Sequence, residues 1–449
     1  MSLAGRAWTG GWRDGLQYGL LGLPLAFVAL PLYVILPNHY SREFGVPLAT
    51  LGAVLLGARL FDAIIDPLLG RWCDKLFARS LGAVVAFGGV ACIALAVGFA
   101  LLFFPATRDP AGLIVWASVL LVLTYAAYSA VSVAHQSWGA MLGNLHGGSD
   151  SQRSRVVAWR EALGLLGVVL ASITPVALGL PATVALFCVA LGAGWLAWRS
   201  AARPDAAALA AQQIAAHTDT PASVWQPFQH PAFKRLLAVF MLNGIASAVP
   251  ATLVLFFIQD RLQAPKSMEP AFLGSYFVLA ALSIPLWLKL VARIGLAKSW
   301  LCGMLLSTVV FIWASQLGAG DAIAFLLVCC LSGVALGTDL ALPGAMLAGV
   351  VANAPRDAQA KAPAASIAGL YFGWWNFATK LNLALAAGLA LPLLGLFGYS
   401  PGSTDARALD ALVLAYCVLP CVLKLLAAGS LYLLIIRPQK TSLALKAAP

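Results

Sequence analysis

"RLFDAIIDP", residues 59–67, lies inside an apolar stretch that begins near Leu48. Arg59, Asp62 and Asp66 are three and four residues apart, so on a helix they share one stripe. An ionisable group at the bilayer centre costs roughly 2.5–3.5 kcal/mol on insertion scales, and so faces a partner or a cavity. Two carboxylates one turn apart repel unless a cation sits between them or one takes a proton. Arg59 offsets one negative charge and leaves the other. The stripe therefore reads as a cation site: carboxylate oxygens plus a hydroxyl suit Na+, and a proton on either Asp serves as well. The alternative is an ion-pair cluster that fixes helix packing, for which one acid per Arg would suffice.

The rest of the chain supplies the same apolar setting. Of 449 residues, 61% are hydrophobic and 10% charged, against about 25% charged in soluble globular proteins. A membrane span needs about 20 apolar residues. On that measure the chain divides into twelve segments, at 16–37, 47–70, 81–104, 113–142, 157–179, 181–198, 233–258, 271–294, 299–317, 322–347, 366–396 and 411–436. Period-2 barrel strands are absent, so the expected fold is an all-α polytopic membrane protein. The first segment is too long for a signal-peptide core and reads as a retained span.

The net charge of +11 does not call for nucleic acid. With the N-terminus inside and twelve crossings, most of the 28 Lys and Arg fall on the inner side, among them Arg71, Lys75, Arg79, Arg153, Arg155 and Lys298. Arg42, Arg108, Arg261, Lys266 and Arg407 fall outside. This is the positive-inside bias, with both termini cytoplasmic in a bacterial-type inner (plasma) membrane. The eight Cys lie in or beside apolar segments and read as small apolar fillers. Adjacent Cys329 and Cys330 cannot chelate as a CxxC pair does.

The longest polar stretch between spans, about 199–232, divides the chain into two sets of six. The expected domains are a bundle over 1–198, a cytoplasmic linker over 199–232 and a second bundle over 233–449, the layout of major facilitator transporters. "AAALAAQQIAA" within the linker has the composition of a surface helix.

Beyond the second span, the intramembrane ionisable groups are His135 in the fourth, Arg160 and Glu161 opening the fifth, Asp339 in the tenth, Lys380 in the eleventh and Lys424 in the twelfth. His135 lies seven residues from Tyr128 and three from Trp138, near enough on a helix to share a face. It reads either as a packing residue or as a proton carrier or solute ligand, since His titrates near neutral pH. Asp339 is expected to pair with Lys380, bind a cationic group, or titrate. Asn243, Trp374, Trp375, Asn376 and Asn382 add polar and amphipathic wall around Lys380. Lys424 reads as a packing or snorkelling residue.

"RLFDAIIDPLLGRWCDK" resembles the second-helix signature of the glycoside–pentoside–hexuronide:cation symporter family of the major facilitator superfamily, in its melibiose-carrier-like branch. "YSAVSVAHQSW" resembles the family's fourth-helix segment, with Tyr128 and Ser129 at a hydroxyl pair. "RSRVVAWRE" resembles the start of its fifth helix, with Arg160 at the arginine. "YFGWWNFATKLNLALAAG" resembles the eleventh helix, with Lys380 at the lysine, and "LFGYSPG" resembles the turn after it. The resemblance covers nearly the whole chain.

It implies that Asp62 and Asp66 hold the coupling cation, with hydroxyl ligands from Ser129 and Ser132. Arg59 would pair with the acids when the cation leaves. Arg160 and Lys380 would border the solute cavity and help close it; read from the residues themselves, Tyr128, His135, Trp138, Asp339, Trp375 and Asn376 are further candidate solute contacts. The family's sugar-binding acids on the first and fourth helices fall here at about Ala26 and Ser132, and its fourth-helix Pro at Ala134. Sugars need many placed hydrogen-bonding groups, so the expected solute is a small organic molecule less polar than a disaccharide. An anion fits Arg160 and Lys380.

The expected protein is a cation-coupled (Na+ or H+) symporter that acts as a monomer, with no cofactor beyond the coupling ion. Its partners are the solute, the cation and the lipid bilayer. An H+-driven exporter or a carrier of lipid-like solutes is the alternative within transport. A non-transporting scaffold is the rival of another class. An enzyme is not expected, because no nucleophile–base pair, metal-ligand cluster or nucleotide loop is present.

Overall fold

Helices that are apolar on every face belong in a bilayer. That pattern recurs along the chain. A computed structural model describes residues 8–46, 48–143, 149–204, 223–353, 368–399 and 402–438. These residues are almost wholly helical, and no strand occurs among them. Large apolar side chains also cover the outside: Val90, Ile93, Val189 and Ile323 are each about two-thirds exposed or more. Such surfaces are stable against lipid rather than water.

The helices are α1 (Trp12–Gly19), α2 (Gly22–Phe27), α3 (Leu36–Phe44), α4 (Leu48–Arg79), α5 (Leu81–Phe103), α6 (Pro110–Gly143), α7 (Asp150–Ala177) and α8 (Gly179–Arg199). There follow α9 (Pro231–Phe256), α10 (Glu269–Ile294), α11 (Leu296–Ala314), α12 (Ala322–Ala352), α13 (Ala368–Leu396), α14 (Ala406–Val413) and α15 (Leu419–Leu431). Single π-helical turns sit at Pro31–Ile35, Phe257–Arg261, Leu414–Val418 and Tyr432–Ile436. Ends are set locally. The side chains of Ser80, Ser149 and Asp405 accept the amides of Ala83, Gln152 and Ala408, each satisfying an orphan donor of the first turn. Gly45, at φ 68°, closes α3 in the left-handed conformation that favours glycine.

Among the described residues, nine helices are long and apolar enough to cross a membrane. The first, second and eleventh expected spans fall on α1–α3, α4 and α13, which are helical as well. Most of the expected linker, with the surface helix read at "AAALAAQQIAA", lies outside the described residues.

The chain forms two compact units, Met1–Gln229 with Ala348–Phe377, and His230–Leu347 with Ala378–Pro449. In the first, Phe187 stacks against Phe27 and meets Phe99 with ring centres 4.4 Å apart. Trp138 and Trp198 meet edge to face at 5.6 Å. In the second, Phe257 stacks on Tyr416 at 4.3 Å, with Phe325 beside both. Such pairs add about 0.5–1.5 kcal/mol each beyond the area they bury.

Candidate functional site: buried carboxylates on α4

Asp62 and Asp66 lie one turn apart on α4, and both are buried, Asp66 completely. Ser129 on α6 is buried too, and its hydroxyl donates to Asp62 Oδ1 at 2.7 Å. Burial of two carboxylates so close together demands positive charge or a proton. Arg59, one turn earlier, has an exposed side chain. Ser132, one turn after Ser129, accepts the side-chain amide of Gln136 at 2.9 Å.

Just past Asp66, α4 meets the start of α13 at backbone distance. A Cβ at Gly70 would strike the carbonyl of Gly369, and one at Gly373 would strike the backbone of Asp66 and Pro67. Gly369 and Gly373 form a GxxxG pattern, which lets two helix backbones approach. Asp74, one turn beyond Gly70, accepts the amides of Gly369 and Leu370 at 2.6 and 2.9 Å. A carboxylate at a helix N-terminus meets both the orphan amides and the positive end of the dipole. The signals were Asp74 and "GLYFG" at 369–373; only their pairing was hidden.

Arg160 forms an ion pair with its neighbour Glu161. It also interacts electrostatically with Tyr18 and half-buried Tyr128. Its charge is thus matched locally, which weakens its claim as the attractor of an anionic solute. His135 is fully buried: Nε2 lies 2.8 Å from the Tyr18 carbonyl oxygen, and the two rings stack at 4.4 Å. Tyr18 donates its hydroxyl back to the His135 carbonyl at 3.1 Å. Trp138 donates its indole N–H to the carbonyl of Ala202 at 3.0 Å. These contacts give His135 and Trp138 packing partners.

Trp375 is buried and Asn376 half-buried in the first unit. Beside them Trp374 donates its indole N–H to the carbonyl of Val224 and packs on Trp225 and Phe228. Lys380, half-buried, belongs to the second unit.

Asp339 pairs with Lys424, not with Lys380 as expected. Lys424 Nζ lies 2.8 Å from Asp339 Oδ2 and 3.0 Å from Asn243 Oδ1. Ser247 and the indole of Trp300 also donate to the Asp339 carboxylate, at 3.1 and 2.8 Å. The ammonium sits on α15, which packs closely on α9 and α11 and so faces the core of the unit instead of reaching for the membrane surface. A lysine inside an apolar segment, with an unmatched acid elsewhere in the same half, was the available signal.

The model of the MFS/sugar transport protein family matches residues 17–437. YagG of Escherichia coli strain K12, which carries a provisional glycoside/cation symporter name, is 25% identical over 162 residues, 34% of this chain and 33% of its own. The match thus spans about a third of YagG's length. YjmB of Bacillus subtilis strain 168, named as an uncharacterized symporter, is 24% identical over 450 residues, covering 94% and 92% of the two chains. A bacterial homologue of the iron transporter ferroportin, solved in an outward-facing state, superposes with a TM-score of 0.66 at 17% identity, over 94% and 98% of the chains. At that identity the likeness speaks for the fold alone: an all-helical membrane transporter fold.

Proposed function

On the premise that this chain belongs to the MFS/sugar transport protein family, we propose that it is a cation-coupled symporter of a small organic solute, working by alternating access. The observation that carries the reading is the pair of buried carboxylates, Asp62 and Asp66, with the Ser129 hydroxyl of another helix already on Asp62. A Na+ or a proton taken up there neutralises the pair. The symporter names of YagG and YjmB point the same way.

In this reading the cation removes the repulsion between Asp62 and Asp66 and frees Arg59 from compensating for it. The solute then binds better, and by linkage it raises cation affinity by the same factor. The domains in this reading are bundles over 1–198 and 233–449 joined by the 199–232 linker, and transport is by alternating access. Ala26 and Ser132, where the family's sugar carriers hold acids, argue for a solute less polar than a disaccharide. The protein works as a monomer in the inner membrane with both termini cytoplasmic.

The test is coupled flux. Proteoliposomes report entry of H+ through trapped pyranine, or of Na+ by radiolabel, while a panel of small solutes is imposed from outside. A solute that drives cation entry in the wild type, and not in Asp62→Asn, supports the reading. Solute uptake with no cation movement overturns it.

A further inference from the structure

The second unit holds a partly open cavity of about 160 Å³ among α9, α10, α11, α12 and α15, and every residue that lines it belongs to that unit. None of the groups at Asp62, Asp66 or Ser129 contributes to it. Its volume is close to the roughly 150 Å³ at which an apolar protein cavity accepts benzene. Most of the wall is apolar, with Phe272, Phe277 and Phe311 supplying aromatic surface.

The polar groups in the wall divide into two classes. Some are already satisfied. Asp339 receives three donors, from Lys424, Ser247 and Trp300. Thr308 and Ser332 turn their hydroxyls back onto carbonyls of their own helices. Others retain hydrogens without an acceptor among the described residues. Lys424 carries three ammonium hydrogens, and Asn243 and Asp339 take two. The hydroxyls of Tyr276, Tyr416 and Ser307 line the same space. What the wall leaves over is thus one ammonium hydrogen, which only donates, and three hydroxyls, which donate or accept, around an apolar, ring-sized space.

Charge fixes the ligand further. Lys424 and Asp339 cancel, so the wall offers no net positive charge to repay the dehydration of an anion. We propose that this cavity is a binding site for a neutral, ring-sized molecule bearing a carbonyl oxygen. The oxygen takes hydrogen bonds from Lys424 and the tyrosine hydroxyls, and the ring lies against the phenylalanines. The site stands independently of cation coupling on α4.

The experiment is fluorine NMR of para-fluoroacetophenone titrated into the purified full-length protein in detergent, against protein-free micelles. Para-fluorotoluene, which lacks the acceptor, and para-fluorobenzoate, which is anionic, are run beside it. Saturable ketone binding is expected, tighter than that of either comparison compound. Removing the hydroxyls in Tyr276→Phe/Tyr416→Phe weakens it by about three- to tenfold per lost bond and leaves para-fluorotoluene unaffected. Ser307→Leu, which fills the space, abolishes saturable binding of both. Thermal unfolding of each variant verifies that it folds. Ketone binding that matches the micelle control, equals that of para-fluorotoluene, falls below that of the benzoate, or ignores the tyrosine substitutions overturns the proposal.

Discussion

Ser129 on α6 donates its hydroxyl hydrogen to Asp62 Oδ1 on α4, 2.7 Å away and 67 residues earlier in the chain. The bond orients one oxygen of a buried carboxylate while Asp66 stands a turn further along α4. Hydrogen bonds to charged groups contribute about 1.5–3 kcal/mol. Ser129→Ala therefore lowers Na+ affinity by about ten- to hundredfold, and Ser129→Thr, which keeps the hydroxyl, restores most of it. The cation concentration that half-maximally stabilises the purified protein reads this directly. Equal values for all three proteins would remove Ser129 from the site.

Lys424→Met leaves the mostly buried Asp339 carboxylate beside Ser247 and Trp300 without the Lys424 ammonium. Breaking a buried pair from one side costs about 3–5 kcal/mol, so a large fall in the thermal unfolding midpoint is expected. Asp339→Asn/Lys424→Met, which removes both charges, recovers most of the loss. A single variant as stable as the wild type would mean that the pair contributes nothing to the fold.

Asp74→Ala strips the acceptor from the first amides of α13. Hydrogen exchange at Gly369 and Leu370 is expected to accelerate, with little change in the middle of α5 or α9. Asp74→Asn keeps one carbonyl oxygen and falls between the two. Unchanged exchange at these amides would dissociate Asp74 from the end of α13.

Gly70→Ala and Gly57→Ala place the same methyl on the same helix with opposite outcomes. At Gly70 it meets the Gly369 carbonyl, and at Gly57 it meets nothing within 4 Å. The first is expected to destabilise by about 1–3 kcal/mol through overpacking. The second should stabilise by up to about 1 kcal/mol through helix propensity. Thermal midpoints of the two variants, measured together, check the sign of each.

These relationships were legible in the sequence to different depths. Apolar runs of span length fix helices in a membrane, because period and length are local properties. The spacing of Arg59, Asp62 and Asp66 places the acids on one stripe, and the helix delivers it. Which groups on different helices meet is another matter. Asp339 had Lys380 and Lys424 as candidate partners in the later spans, and chain spacing carries no information on which of them faces it. His135 was read against Tyr128 at helical spacing, yet its ring stacks on Tyr18, 117 residues away. Arg160 was read as a border of the solute cavity, although Glu161 follows it directly. Local pairing of that kind was the part most open to view.

The most direct test of cation coupling at α4 is the thermal stability of the purified protein with Na+ against choline, over a range of pH, for the wild type and Asp62→Asn. A ligand that binds only the folded form raises the unfolding midpoint by mass action. The expected result is a midpoint that rises with Na+, or one whose pH dependence reports proton uptake, with that response lost in Asp62→Asn. A wild-type midpoint indifferent to both ions, or one whose response survives intact in Asp62→Asn, would contradict a coupling site at Asp62 and Asp66.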